Sequence, residues 1–223
     1  MVCAEHAVQV RIIGRGRVGR AFEARLAERG ALAGGRPDIV LLCVPDAAIR
    51  EVARGIEPGP WVAHVSGATP LAHLEPHRRR FGLHPLQTFT LRRGPEQIDG
   101  AWAAVTAEDD DGRRVGHELA GLLGLRPFDL DESRRVLYHA GAVFASNFLV
   151  TLHRLAVRAV EAAGAPPEAL EPLMRRTIDN GFDLTGPIAR GDLETVRAHL
   201  DALARDLPDL VPVYTELAQA TRP

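Results

Sequence analysis

Gly14, Gly16 and Gly19 stand at the spacing G-x-G-x-x-G, directly after the apolar run Val8–Ile13 and directly before a helical pattern beginning at Arg17. At this spacing the glycines serve three separate ends. They allow a tight turn, close approach of backbone to a pyrophosphate, and close packing of helix on strand. A helix N-terminus adds free N–H groups and the positive end of a dipole. The stretch Gly14-Arg15-Gly16-Arg17-Val18-Gly19 is therefore expected to hold the phosphates of a dinucleotide. Val44-Pro45-Asp46, at the end of the next apolar run, completes the expected cofactor side. A tight turn with glycines kept for packing alone has the same spacing.

The adenosine end is unusual. The residue that selects NAD or NADP normally lies about 20 residues past the fingerprint. Here that window is Ala31–Pro37 and contains no acid, and Asp38 leads into the Ile39–Val44 run at the wrong end for a ribose contact. Only Arg20–Pro37 separates the fingerprint from that run, so the second and third strands of the usual pattern are expected to be deleted. Arg15, Arg17, Arg20 and Arg36 cluster in sequence here. They read either as a phosphate site favouring NADP over NAD or as solvated surface. The deletion would also leave Val8–Ile13 at or near a sheet edge, which a homodimer could cover.

Three further groups carry chemistry. His64-Val65-Ser66-Gly67 and His84-Pro85-Leu86-Gln87 each end a strand-like run. In open α/β sheets ligands lie beyond the carboxyl ends of the strands. No G-x-S-x-G elbow surrounds Ser66, so nothing marks it as an acyl-transfer nucleophile. Tyr138-His139 and Ser146-Asn147 are seven to eight residues apart, which returns to nearly one helix face. Such polar groups line a substrate cleft or form an internal network. In Thr185-Gly186-Pro187-Ile188-Ala189-Arg190-Gly191-Asp192, Arg190 is suited to a carboxylate and Asp192 to a helix cap. No metal-ligand spacing stands out.

The elements that must position these groups alternate in the first half. Val8–Ile13, Asp38–Val44, Trp61–Val65, Phe81–His84, Ala101–Thr106 and Arg126–Leu130 read as strands. Arg17–Arg29, Ala47–Arg54, Thr69–His77 and Asp111–Leu123 read as helices. This predicts an α/β fold with an open, largely parallel, abbreviated Rossmann-like sheet. After Leu130 only helical patterns follow: Glu132–Ala163, capped by Asp131, then Pro166–Gly181, Asp192–Arg205 and Pro208–Gln219. The predicted domains are 1–130, for the dinucleotide, and 131–223, an all-α domain for substrate and dimerisation.

Composition narrows the classes. A chain of 223 residues, 46% hydrophobic and 25% charged, is that of a soluble globular protein. A net charge of −2 argues against a nucleic-acid surface. Apolar stretches read as short of a membrane span, and Met1–His6 shows no signal-peptide pattern. Cys3 and Cys43 make no disulfide framework; Cys43 reads as a buried apolar residue and the setting as cytoplasmic. All 27 basic residues are arginine, which rules out Schiff-base chemistry and a lysine acid.

Val44-Pro45-Asp46, His64-x-Ser66-Gly67, His84-Pro85-Leu86-Gln87, Tyr138-His139-Ala140, Ser146-Asn147 and Thr185–Asp192 resemble, in order, a bacterial family of two-domain Rossmann-like proteins. Its helical half is catalogued as a domain of unknown function. Its architecture is similar to that of 6-phosphogluconate dehydrogenase, pyrroline-5-carboxylate reductase and ketopantoate reductase. The resemblance implies an NAD(P)-dependent oxidoreductase acting on a small 2-oxo acid or imine, some members being ketopantoate-like. It also implies a dimer through the helical domain. The β-hydroxyacid dehydrogenases of the broader group use a lysine a few residues before an asparagine. Asn147 matches that asparagine, but Val143 and its neighbours offer no base. Proton donation is then expected from His139, with Asp46 and Ser66 beside the nicotinamide and Asn147 and Arg190 orienting substrate. The alternative is a degenerate Rossmann protein that binds a smaller phosphate ligand or a partner without redox chemistry.

Overall fold

The computed structural model describes residues 7–221. Met1–His6, with Cys3 and the expected absence of a signal peptide, lie outside the described residues. Six strands form one sheet in sequential order: β1 Val10–Ile13, β2 Ile39–Leu42, β3 Trp61–His64, β4 Arg80–Leu86, β5 Trp102–Ala107 and β6 Arg126–Asp129. Strands β1 to β4 run parallel, β5 lies antiparallel to β4, and β6 runs parallel to β5. The sheet is thus α/β and largely parallel.

Alternation along β2 shows why its run is continuously apolar. Ile39 and Leu41 face one core, with Phe22 and Leu26 of α1 (Arg17–Glu28). Val40 and Leu42 face the other, with Ile49 and Ala53 of α2 (Ile49–Arg54) and Leu71 and Leu74. A parallel strand covered on both faces needs apolar side chains on both. Each fully buried aliphatic or aromatic side chain contributes about 1.5–3 kcal/mol. α3 (Asp110–Leu123) lies on the first face through Leu119 and Leu123, and Asp109 caps it by accepting the Gly112 N–H at 2.7 Å.

The shortened segment after α1 leaves a trace. Val10 donates to the Ala31 carbonyl at 2.8 Å, and Ala33 donates to the Val10 carbonyl at 3.0 Å. A single parallel bridge pairs Val10 with Leu32. The strand that would flank β1 in the full pattern is reduced to that bridge, so β1 ends the sheet with part of its edge covered. Asp38 accepts the Gln9 N–H at 2.8 Å, a bond that fixes the entry to β2.

Two helix expectations change. Thr69–His77 contains only the 3-10 turn Leu71–Leu74, because Pro70 and Pro76 hold their neighbourhoods extended. The run expected as one regular helix from Glu132 is composite: a 3-10 turn, α4 (Arg135–Val143), a π turn (Phe144–Phe148) and α5 (Leu149–Ala162). A π turn inserts extra backbone into the helix, so the 3.6-residue phase that put His139 and Ser146-Asn147 on one face does not carry through it.

Two compact units divide between Val143 and Phe144. The loss of strand pattern sets the sequence boundary near 130, whereas α4 belongs with the sheet because Arg135 is buried there. The second unit comprises α5, α6 (Leu170–Asp179), α7 (Leu193–Asp206) and α8 (Val211–Ala220). Arg158 grips Asp209 through two bonds of 2.8 and 3.0 Å, and His199 meets the Tyr214 hydroxyl at 2.7 Å. Asp192 caps α7 as expected, accepting the Thr195 N–H at 3.0 Å. Phe148, Val150, Leu173, Ile178 and Phe182 are exposed. Taken as one helix, Glu132–Ala162 is long and apolar enough to cross a membrane by length and composition, unlike the sequence expectation. The difference arises because its polar residues, His139, Ser146 and Asn147, are spread among apolar neighbours.

Candidate active site

The fingerprint glycines divide into two kinds. A Cβ on Gly14, whose φ is 111°, would collide with the Cys43 carbonyl, and one on Gly19 would collide with the Gly14 carbonyl. These two glycines let α1 close onto β1 and β2. A Cβ on Gly16 would meet nothing within 4 Å. Gly16 is the N-cap of α1, makes no side-chain cap, and is followed by no acid in the first turn. The first helical bond runs from Arg20 N–H to the Gly16 carbonyl at 3.0 Å, so the N–H groups of Arg17, Val18 and Gly19 precede it. The loop thus offers three backbone N–H groups beside open space, an arrangement that would fit a dinucleotide diphosphate. Arg15, Arg17 and Arg20 are exposed around it. Arg36 does not join them. It lines a cavity of about 590 Å³ where β2 and β3 begin, with Gly59, Trp61, Arg79 and Arg114. Two of the three arginines there are engaged: Arg79 stacks on Trp61 and donates to the Gly59 carbonyl, and Arg114 pairs with Asp111 and Glu118.

At the opposite, carboxyl ends of the strands, residues of the sequence motifs form a polar cluster. The Ser66 hydroxyl donates to Asp46 at 2.8 Å and accepts from the Thr69 N–H at 3.0 Å. Thr69 Oγ1 lies 2.8 Å from the same oxygen. With its one proton on Asp46, Ser66 is a buried brace tying the ends of β2 and β3 together. Gly67 follows. A Cβ there would collide with His139 Nδ1 and lie 2.9 Å from His84 Nε2. Both imidazoles therefore rest over a bare backbone, with their rings 5.6 Å apart. His84 Nδ1 lies 3.0 Å from the Tyr138 hydroxyl.

Beneath them lies a group that sequence spacing does not single out. Arg135 is 1% exposed; it donates to the Ser66 carbonyl and sits 3.7 Å from Glu132. Its guanidinium crosses β4 at Gly82, where a Cβ would lie 2.7 Å from Nη1. His64 lies fully buried beside it, with neither ring nitrogen bonded. His64 thus faces the interior rather than a cleft. Burial, followed by the charge of Arg135, pushes its pKa down to about 3. Burial also pushes the Cys43 thiol up to about 12, which leaves it an inert core side chain. The only sequence signal for Arg135 is its place three residues before Tyr138-His139.

The second unit holds the other two expected residues. Asn147 lies exposed in the π turn, its Oδ1 accepting from Ser146 at 3.0 Å. Arg190 is exposed in the turn before α7 and lines a cavity of about 460 Å³ with Pro187, Ile188, Asp192, Val196 and Ala218. Among the described residues, no group of three or more His, Cys, Asp or Glu is arranged to hold a metal ion.

Solved structures share this architecture. A candidate NADP oxidoreductase of Bacteroides fragilis, BF3122, superposes with a TM-score of 0.78 at 22% identity, over 96% of this chain and 97% of that one. Protein TM1727 of Thermotoga maritima gives 0.77 at 25% identity, over 95% and 96%. The Plasmodium falciparum pyrroline carboxylate reductase, solved with NADP bound, gives 0.62 at 11% identity, over 96% and 98%. No curated protein matches the chain. Residues 101–221, more than half of the chain, match the domain of unknown function DUF2520. The protein is a Rossmann-like member of the DUF2520 family, with a helical C-terminal half.

Proposed function

We propose that this protein is an NADP(H)- or NAD(H)-linked reductase of a small 2-oxo acid or imine, related in chemistry to ketopantoate and pyrroline-5-carboxylate reductases. The observation that carries this reading is the division of labour in the glycine loop: Gly14 and Gly19 are filled by neighbouring backbone, while Gly16 faces open space at an uncapped helix start. The fold shared with an NADP-bound reductase supports it.

When bound, the nicotinamide supplies a hydride. The backbone of Gly14–Gly19 holds the diphosphate, and Arg15 and Arg17 add positive charge. Val44, Pro45 and Asp46 wall the nicotinamide side, with Asp46 held by Ser66. His139 donates the proton that the substrate oxygen or nitrogen requires, from Nε2, because Nδ1 is buried over Gly67. In the helical unit Asn147 and Arg190 are the groups suited to a small polar ligand, Arg190 to a carboxylate. Titrating the purified protein with NADPH, followed by nicotinamide fluorescence, is expected to show saturable binding at micromolar concentration. Absence of binding at millimolar NADPH or NADP would overturn the reading.

A second copy of the chain is the partner proposed for the apolar helices. Phe148, Val150, Leu173 and Phe182 leave an exposed apolar area that a monomer in water would not keep. The mass in solution is expected to be twice 24.2 kDa. A monomeric mass without detergent removes this partner, and partition into vesicles would point to the bilayer instead.

A further inference from the structure

The hydride reading leaves the His84–Tyr138 pair without a role. His84 stands near the carboxyl end of β4, beyond the paired His64–Gly82 position. Its Nδ1 faces the Tyr138 hydroxyl at 3.0 Å. Its Nε2 lies over the bare Cα of Gly67, where a Cβ would come within 2.9 Å of it. The Tyr138 ring is fixed edge-on between His84 and Phe128, at 5.5 and 5.9 Å.

We propose that His84 is a second catalytic donor, a neutral imidazole whose Nε2–H binds the reacting oxygen or nitrogen of the substrate, and that Tyr138 is the positioning residue that fixes this tautomer. The inference rests on the reductase reading and deepens it.

A ring nitrogen that accepts a hydrogen bond leaves the proton on the other nitrogen. Burial pushes the Tyr138 hydroxyl up to about 12, so it keeps its proton and has one to give to Nδ1, the direction the proposal requires. The groups facing His84 are Arg135, Tyr138 and His139 from α4, Asp46 from the loop after β2, and His64 from β3. Burial first, then the charge of His139 and then that of Arg135, lowers the His84 pKa to about 4, with Asp46 opposing. At neutral pH His84 is then uncharged, and its folded value lies below the ordinary one of 6.5. It therefore stays neutral as pH falls through the range in which a free histidine gains charge. Such a donor stabilises negative charge developing on the substrate without losing its own proton, while His139 makes the transfer. A side chain at Gly67 would press on His84 Nε2, the atom proposed to meet the substrate.

The test joins an imidazole measurement to a turnover comparison. Nitrogen-15 spectra of the full-length protein, with His84 assigned through His84→Gln, are expected to show the proton on Nε2 from pH 8 to pH 5. A proton on Nδ1, or a titration midpoint between those limits, overturns the proposal. NADPH oxidation is then followed with a panel of 2-oxo acids and cyclic imines. His84→Leu is expected to lower kcat about 100-fold or more, the size of one lost donor. His84→Gln, which restores a neutral N–H near Nε2, recovers at least tenfold of that loss, and Tyr138→Phe falls between the two. Equal losses in Leu and Gln overturn the donor role. Failure of the wild-type protein to bind NADPH overturns the reductase reading, a result distinct from the tautomer.

Discussion

Gly16→Asp is expected to abolish NADPH binding while leaving the fold as stable as before. The two halves of this result have separate causes. A side chain at 16 meets open space, so nothing needs to move. Aspartate is also a better N-cap than glycine by a few tenths of a kcal/mol, so α1 gains slightly. The same carboxylate, however, takes the N–H groups that the diphosphate would use and sets a negative charge against it. At about 4 Å and an effective dielectric of 20, one such repulsion costs roughly 4 kcal/mol, close to a thousandfold in affinity. Gly14→Ala is the control in the opposite sense. Its Cβ collides with the Cys43 carbonyl at a φ of 111°, so the variant is expected to lose about 3 kcal/mol or more of stability. Thermal melts and NADPH titrations of both variants decide the matter. If Gly16→Asp binds NADPH as the wild type does, the loop is a packing turn and the cofactor assignment fails.

Much of the fold is legible in the sequence because buried parallel strands write themselves as apolar runs. All six predicted strands are present, and the ends of β2 and β3 lie where the motifs place them. The glycine spacing marks the turn, and Asp192 marks its helix start. What the sequence does not carry depends on side chains meeting across elements. Spacing places Tyr138 next to His139, but only the sheet brings His84 beneath it. Arg135 reads as one more arginine in an arginine-rich chain; that it is buried depends on Gly82 clearing a path across β4. Ser66 is expected beside the reacting centre; that its hydroxyl braces Asp46 is seen only in the structure. The π turn is invisible for a different reason: an inserted backbone residue has no composition signal, so a regular period extends through it in sequence but not in space. Sequence distance alone groups Arg36 with the loop arginines, and the short connection after Leu32 carries it back to the other end of the strands.

His139→Gln is expected to lower kcat for NADPH oxidation by about 10² to 10⁴, the usual range for a lost general acid, with little change in NADPH affinity. The side chain rests on Gly67, and its Nδ1 is buried without a partner. Only Nε2 is left to serve a substrate. Glutamine retains much of the volume and a hydrogen-bond donor, so the packing over Gly67 is largely kept. It has no proton to give up near neutral pH, so the loss falls on proton transfer. The diphosphate cradle lies at the end of β1, on different residues, which is why cofactor affinity is expected to hold. Lysine offers no rescue in the native chain, since it has none. His64 and His84 are held uncharged by burial and by Arg135, and a permanently uncharged imidazole binds a carbonyl but does not supply the proton in acid form. A fall in kcat below tenfold, or an equal loss in His84→Gln with no loss in His139→Gln, would move the acid to another residue. Parallel loss of NADPH affinity in His139→Gln would instead make His139 a part of the cofactor site.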